Sequence, residues 1–193
     1  METIRTIELE NGKKVEFYYS QGDSREWDNF TKMICFHKRY NLGDKHDFDF
    51  HDYSSFDEME KDIIKKENAV IIKPLYMYDH SGITIATTPF SCHWDSGQIG
   101  FVIVTKEQIR KEYEVKRVTK KLIEKAEKVL DSEVETYCME VEGEVFGFMC
   151  YDENGDMTDS CGGFYGRDFE KNGMLGHIED DEIRAAMEKE KSI

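Results

Sequence analysis

The sequence predicts an α+β fold, a largely antiparallel sheet with helices packed on one face, in a single domain spanning residues 1–193. Three observations lead there. Stretches of strand character come in consecutive groups set apart from the helical stretches, not in the strict βαβ alternation of a parallel sheet. Asn11-Gly12 and Asn154-Gly155 each separate two alternating runs, and Asn-Gly supplies the positive φ that a tight hairpin turn requires. Ser55 with Glu58, and Thr105 with Gln108, have capping-box spacing ahead of helical patterns.

Taken in order, TIRTIELE and KKVEFYYS make the first hairpin. Residues 27–40 fit either a short helix or a buried strand, and 44–53 form an acidic, histidine-containing loop. The next helix covers 55–68, with Phe56, Met59, Ile63 and Ile64 close to one face. Residues 69–78, 83–88 and 99–104 are β-branched or aromatic runs punctuated by Gly, Pro and Ser, and read as antiparallel strands. Helices follow over 105–113 and 118–130, the latter with Leu122, Ala126, Val129 and Leu130 on one stripe. A meander over 133–141, 145–151 and 157–164 turns at Gly143 and Asn154-Gly155, and a short charged helix ends the chain at about 180–191. Trp27, Trp94, Phe101, Val102, Phe146 and Phe148 are the expected core, with Trp94 closing its edge.

A chain of 193 residues buries roughly 70% of its unfolded surface, and its 12% aromatic content argues against disorder. The five cysteines, Cys35, Cys92, Cys138, Cys150 and Cys161, are odd in number and contain no CxxC pair, so they read as reduced thiols of the cytoplasm. METIRTIELENG lacks the apolar stretch of a secretory leader, and no uncharged apolar run reaches the roughly 18 residues of a membrane span.

Net charge separates function classes further. With 41 acids against 26 bases the chain carries −15, which repels phosphates and argues against direct nucleic acid binding. The acids are also grouped. Between Lys128 and Arg167 no Lys or Arg occurs, while Asp131, Glu133, Glu135, Glu140, Glu142, Glu144, Asp152, Glu153, Asp156 and Asp159 do. By contrast, residues 106–128 are rich in bases.

The densest polar constellation is YDHSGITIATTPFSCHWDSGQIGF. A thiol at Cys92 with His80 or His93 and Asp95 has the composition of an activated nucleophile, although no G-x-S-x-G, papain-like or caspase-like signature accompanies it. KHDFDFHDY offers His46, His51, Asp47, Asp49 and Asp52 in a spacing that matches no established metal motif, so no metal is expected. DENGDMTD lacks the Gly and Glu of a calcium loop and reads as a hairpin turn. Without GxxxxGK[ST] or a GxGxxG after a strand, no nucleotide cofactor is expected.

REWDN with CFHKRYNLGD, then YDHSGITIATTPFSCHWDSGQIGF, KEQIRKEY, VLDSEVETY, EVFGF and DSCGGFYG, resemble a family of uncharacterised small proteins encoded by phages, prophages and plasmids, over roughly 25–166. That resemblance implies a mobile-element setting and assigns no site residue. Joined to the acidic stretch, it leads to the expectation of an accessory protein that binds and inhibits a basic host nucleic-acid-handling or defence protein, of anti-CRISPR or anti-restriction type, through a DNA-mimicking surface. The ten acids of 131–159 would form that surface. A Cys92-dependent hydrolase or transferase is the alternative.

Overall fold

The computed structural model describes residues 2–193. Its strands are β1 (Thr3–Glu8), β2 (Lys14–Tyr19), β3 (Lys32–Cys35), β4 (Ala69–Asp79), β5 (Ile83–Ala86), β6 (Ser96–Thr105), β7 (Val145–Tyr151) and β8 (Met157–Tyr165). The helices are α1 (Phe56–Glu67), α2 (Lys106–Glu112), α3 (Lys120–Val141) and α4 (Asp181–Glu190). The chain is α+β and every strand pairing is antiparallel. The strands divide between two four-stranded sheets, β1-β2-β7-β8 and β3-β6-β4-β5. These belong to two compact units, one of Met1–Asp23 with Met139–Ile193, the other Ser24–Cys138.

In the first unit, Gly12 adopts φ 89° and closes the β1–β2 hairpin, and Gly155 at φ 84° does the same for β7–β8. Alternation along β2 and β7 sends Val15, Phe17, Phe146, Phe148 and Cys150 into one core, where Ile183 and Met187 of α4 also lie. Phe17 stacks on Phe169 at 5.1 Å. Tyr18 of β2 pairs across with Gly147 of β7, and a Cβ at Gly147 would stand 2.4 Å from the Tyr18 ring. Only glycine leaves room for that tyrosine.

In the second unit, Ser55 caps α1 by accepting the Glu58 N–H, while the Glu58 side chain reaches back to Ser54. The capping box of Thr105 and Gln108 at α2 is complete. Helices cover both faces of this sheet. Met59 and Ile63 of α1 share a core with Ile34, Phe101 and Ile103. The opposite side of β6 bears Val102, paired with Lys73, whose ammonium reaches Asp131 of α3 at 2.7 Å.

The structure corrects three expectations. The α+β class holds, but the strands form two sheets and not one, and helices lie on both faces of β3-β6-β4-β5 and not on one, because β2 pairs with β7 and leaves the other strands to a separate sheet. Residues 133–141 continue α3 instead of forming a strand. Ala126, Leu130, Val134 and Tyr137 are buried at helical spacing, and no Gly or Pro interrupts the helix before Gly143, so the apparent alternation was subordinate to a longer 3.6-residue period. Trp27 and Trp94 are not core residues, being 50% and 96% exposed. Both sit in irregular segments between strands, where no sheet face directs a side chain inward. Phe101, Val102, Phe146 and Phe148 are buried as expected.

Candidate functional site

The ten grouped acids do not share one role. Asp131, Glu133 and Glu135 lie on α3 within Ser24–Cys138, and the other seven belong to the other unit. Asp131 is paired with Lys73. Glu133 turns inward: its carboxylate accepts the backbone N–H of Phe30 at 2.8 Å and of Thr31 at 3.0 Å, with the Thr31 hydroxyl at 2.5 Å and the Arg25 guanidinium at 3.6 Å. Arg25 also binds Asp44, which accepts the Met33 N–H at 2.7 Å. Glu133 is therefore a structural carboxylate, whereas Glu135 is exposed.

In the first unit, Glu140, Glu142 and Glu144 stand before β7 and Asp152, Glu153 and Asp156 after it. The seven residues of β7 hold the two groups about 23 Å apart, at about 3.3 Å per residue. Glu144 accepts from Arg167 at 2.8 Å. Asp152 orders the hairpin turn by accepting the Asp156 and Asn154 N–H groups, each at 2.9 Å, and those bonds hold its carboxyl below the usual range. Asp159 pairs with Cys150 and so faces the core side, where one of its carboxylate oxygens is buried without a hydrogen-bond partner.

Counting along the chain missed the acids that other segments bring to this turn end. Because Lys14 of β2 lies opposite Tyr151 of β7, the Asn11-Gly12 turn stands beside the Asn154-Gly155 turn, with Gly12 against the Glu153 backbone. The Asn11 amide donates to Glu182 at 2.9 Å, and the Lys13 ammonium donates to Asp180 at 2.8 Å and to Glu182 at 2.7 Å. The start of α4 is thereby drawn to the same edge, so Glu8, Glu10, Glu179, Asp180 and Glu182 join Asp152, Glu153 and Asp156. A cleft of about 290 Å³ there is lined by Asp152, Asp159, Glu179 and Asp180. The nearby cations are committed: Lys13 holds two carboxylates, and Lys14 binds Glu16 and lies 4.7 Å over the Tyr151 ring. The legible signal was the placement of acids in the first turn of a helix, which the helix dipole favours.

Of the four residues in the thiol constellation, three converge. The Asp95 carboxylate lies 3.2 Å from His80 Nδ1 and accepts the Cys92 thiol at 3.9 Å, while the Asp95 carbonyl accepts the Asp79 N–H at 2.8 Å. His93 is exposed and outside this cluster. A nucleophile-base pair needs its imidazole nitrogen within hydrogen-bond reach of the sulfur. Here a carboxylate occupies that place. No disulfide joins the cysteines among the described residues, and burial pushes the Cys35 and Cys150 thiols up to about 12, which leaves those two inert.

The histidine loop is built as a wall. His46 Nε2 binds the Cys35 carbonyl at 3.0 Å, and Asp49 caps the 3-10 turn Phe50–Asp52 by accepting the His51 N–H at 2.9 Å. Among the described residues no group of three or more His, Cys, Asp or Glu side chains is placed to hold a metal ion. His46, Asp47, Asp49 and His51 instead line an open groove of about 880 Å³ together with Phe36, His37, Lys38 and Arg39. Among the described residues no helix is long and apolar enough to cross a membrane. Compared with known proteins, the chain is matched by no family model, no curated protein and no solved structure.

Proposed function

We propose that the chain is a mobile-element accessory protein that inhibits a basic, nucleic-acid-handling or defence protein of the host, of anti-CRISPR or anti-restriction type, by presenting carboxylates where that protein expects phosphates. One observation carries the reading: acids from three separate segments, 8–10, 152–156 and 179–182, gather at one end of the β1-β2-β7-β8 sheet, where the adjacent lysines are already neutralised. A basic groove meeting such an edge gains electrostatic attraction and a fast encounter rate, both of which fall as salt rises.

The test uses Glu10→Gln, Glu153→Gln, Asp156→Asn and Glu179→Gln together. These four side chains are exposed, so the fold tolerates the change. Glu135→Gln with Asp57→Asn serves as the control, both being exposed positions of the other unit. Immobilised wild type should retain a nucleic-acid-binding protein from host lysate and release it to a short DNA duplex. The quadruple variant should lose that retention and the control should keep it. Equal retention by the quadruple variant, with no release by DNA, refutes the reading.

A second reading, a Cys/His-dependent hydrolase or transferase, is favoured by the shared contacts of Cys92 and His80 with Asp95. It ranks lower because the sulfur meets a carboxylate and not an imidazole. Loss of a measured activity in a folded Cys92→Ser protein would promote it.

A further inference from the structure

The groove beside β3 has the make-up of a small-molecule site. It lies within Ser24–Cys138, so the inference goes beyond the acidic edge and does not depend on it. We propose that it binds a nucleoside monophosphate, a flat ring system with N–H donors joined to a phosphate. The groove brings together three kinds of chemistry that such a molecule satisfies at once.

A continuous row of rings forms its apolar surface. Phe36 meets Phe50 at 5.9 Å, Phe50 meets Phe56 at 5.6 Å, and Phe56 meets the core residue Phe101 at 5.9 Å. Phe50 is 46% exposed, and its open face is a stacking platform. The segment 36–39 supplies cations and donors. Lys38 is exposed and makes no ion pair among the described residues. The Arg39 side chain is 71% exposed; its guanidinium meets Asp79 at 3.3 Å and lies 5.2 Å over the Tyr40 ring, leaving most of its N–H groups open. His37 Nδ1 accepts the Arg39 and Tyr40 N–H groups at 3.4 and 3.3 Å, which places a neutral ring's proton on Nε2, ready to donate. The segment 46–51 supplies acceptors: Asp47 is exposed and unpaired among the described residues, and Asp49 has one oxygen beyond its cap bond.

The two walls are fixed before any ligand arrives. His46 ties the loop to the Cys35 carbonyl, Asp44 ties it to Met33 and Arg25, and the Gly43 N–H donates to the Tyr137 hydroxyl at 2.9 Å. Pre-formed, mostly apolar clefts of about 300–1,000 Å³ with a few polar groups are the usual form of small-molecule sites, and this one measures about 880 Å³. A phosphate meets Lys38 and Arg39, a base stacks on Phe50, and the N–H edge of the base meets Asp47 or Asp49. A purely apolar ligand would leave both the lysine and the aspartate unanswered.

The full chain, labelled with ¹⁵N, is titrated with AMP, GMP, CMP and UMP, and with adenosine. At least one monophosphate should produce saturable shifts confined to 36–39 and 46–56, with a Kd below about 1 mM. Adenosine should bind at least about tenfold more weakly than AMP, since it lacks the anion. Phe50→Ala and Lys38→Ala should each weaken binding about tenfold; Lys38→Ala should leave the thermal midpoint unchanged, because its side chain is exposed, whereas Phe50→Ala gives up ring contacts with Phe36 and Phe56 and should lower the midpoint while the protein stays folded at the temperature of the titration. The proposal is overturned by non-saturating shifts with all four monophosphates, by shifts centred elsewhere, by equal affinity for adenosine and AMP, or by binding that survives both substitutions.

Discussion

Replacing Glu133 by alanine should cost the protein about 3–5 kcal/mol, a large effect for one acid in an acidic chain. The magnitude follows from what the carboxylate holds. Phe30 and Thr31 are 9% and 3% exposed, and both of their backbone N–H groups end on Glu133. An orphaned buried donor costs about 1–3 kcal/mol, and two are created. Arg25, whose side chain is 9% exposed, would keep Asp44 but lose its second carboxylate. Glu133→Gln retains one acceptor oxygen and should fall about midway. Glu135→Ala, two positions along α3 but exposed, should stay within about 0.5 kcal/mol of wild type. Urea unfolding followed by circular dichroism measures all three. A Glu133→Ala protein within about 1 kcal/mol of wild type would refute the inference that this carboxylate is structural.

Two further outcomes follow from burial and charge. Trp94→Ala should leave the free energy of unfolding in urea unchanged within about 0.5 kcal/mol, because the side chain is 96% exposed; a loss of several kcal/mol would show that the indole is packed. Asp180 caps α4 and its carboxyl is held below the usual range, first by the Lys13 hydrogen bond and also by the Ile183 and Glu182 N–H groups. A depressed carboxyl contributes fully above its unfolded value of about 3.9, and that contribution is lost as pH falls through the lower folded value. Wild type should therefore keep its stability advantage over Asp180→Ala down to about pH 4 and lose it below; an advantage that fades between pH 7 and 5 would contradict this.

Local chemistry was legible without coordinates. The Asn11-Gly12 and Asn154-Gly155 turns, the Thr105–Gln108 box and the Ser55 cap each act over a few residues, so the sequence alone determined where the first hairpin, α1, α2, β7 and β8 begin or end. The α+β class followed from the same short-range signals. Tertiary structure decided everything that depends on which segments meet. Nothing local states that β2 pairs with β7, the step that encloses one sheet and leaves the other strands to a second. The length of α3 was misread because EVETYCMEV satisfies a two-residue alternation as well as a helical stripe, and packing of Val134 and Tyr137 selected the helix. Trp94 looked like a core residue because indole is apolar, yet position in a loop outweighs residue type. The acids show the division most clearly. Their excess is a property of composition, but whether a carboxylate is spent inside, as at Glu133, or gathered at an edge, as at Asp152 and Glu182, depends on contacts between residues more than a hundred positions apart.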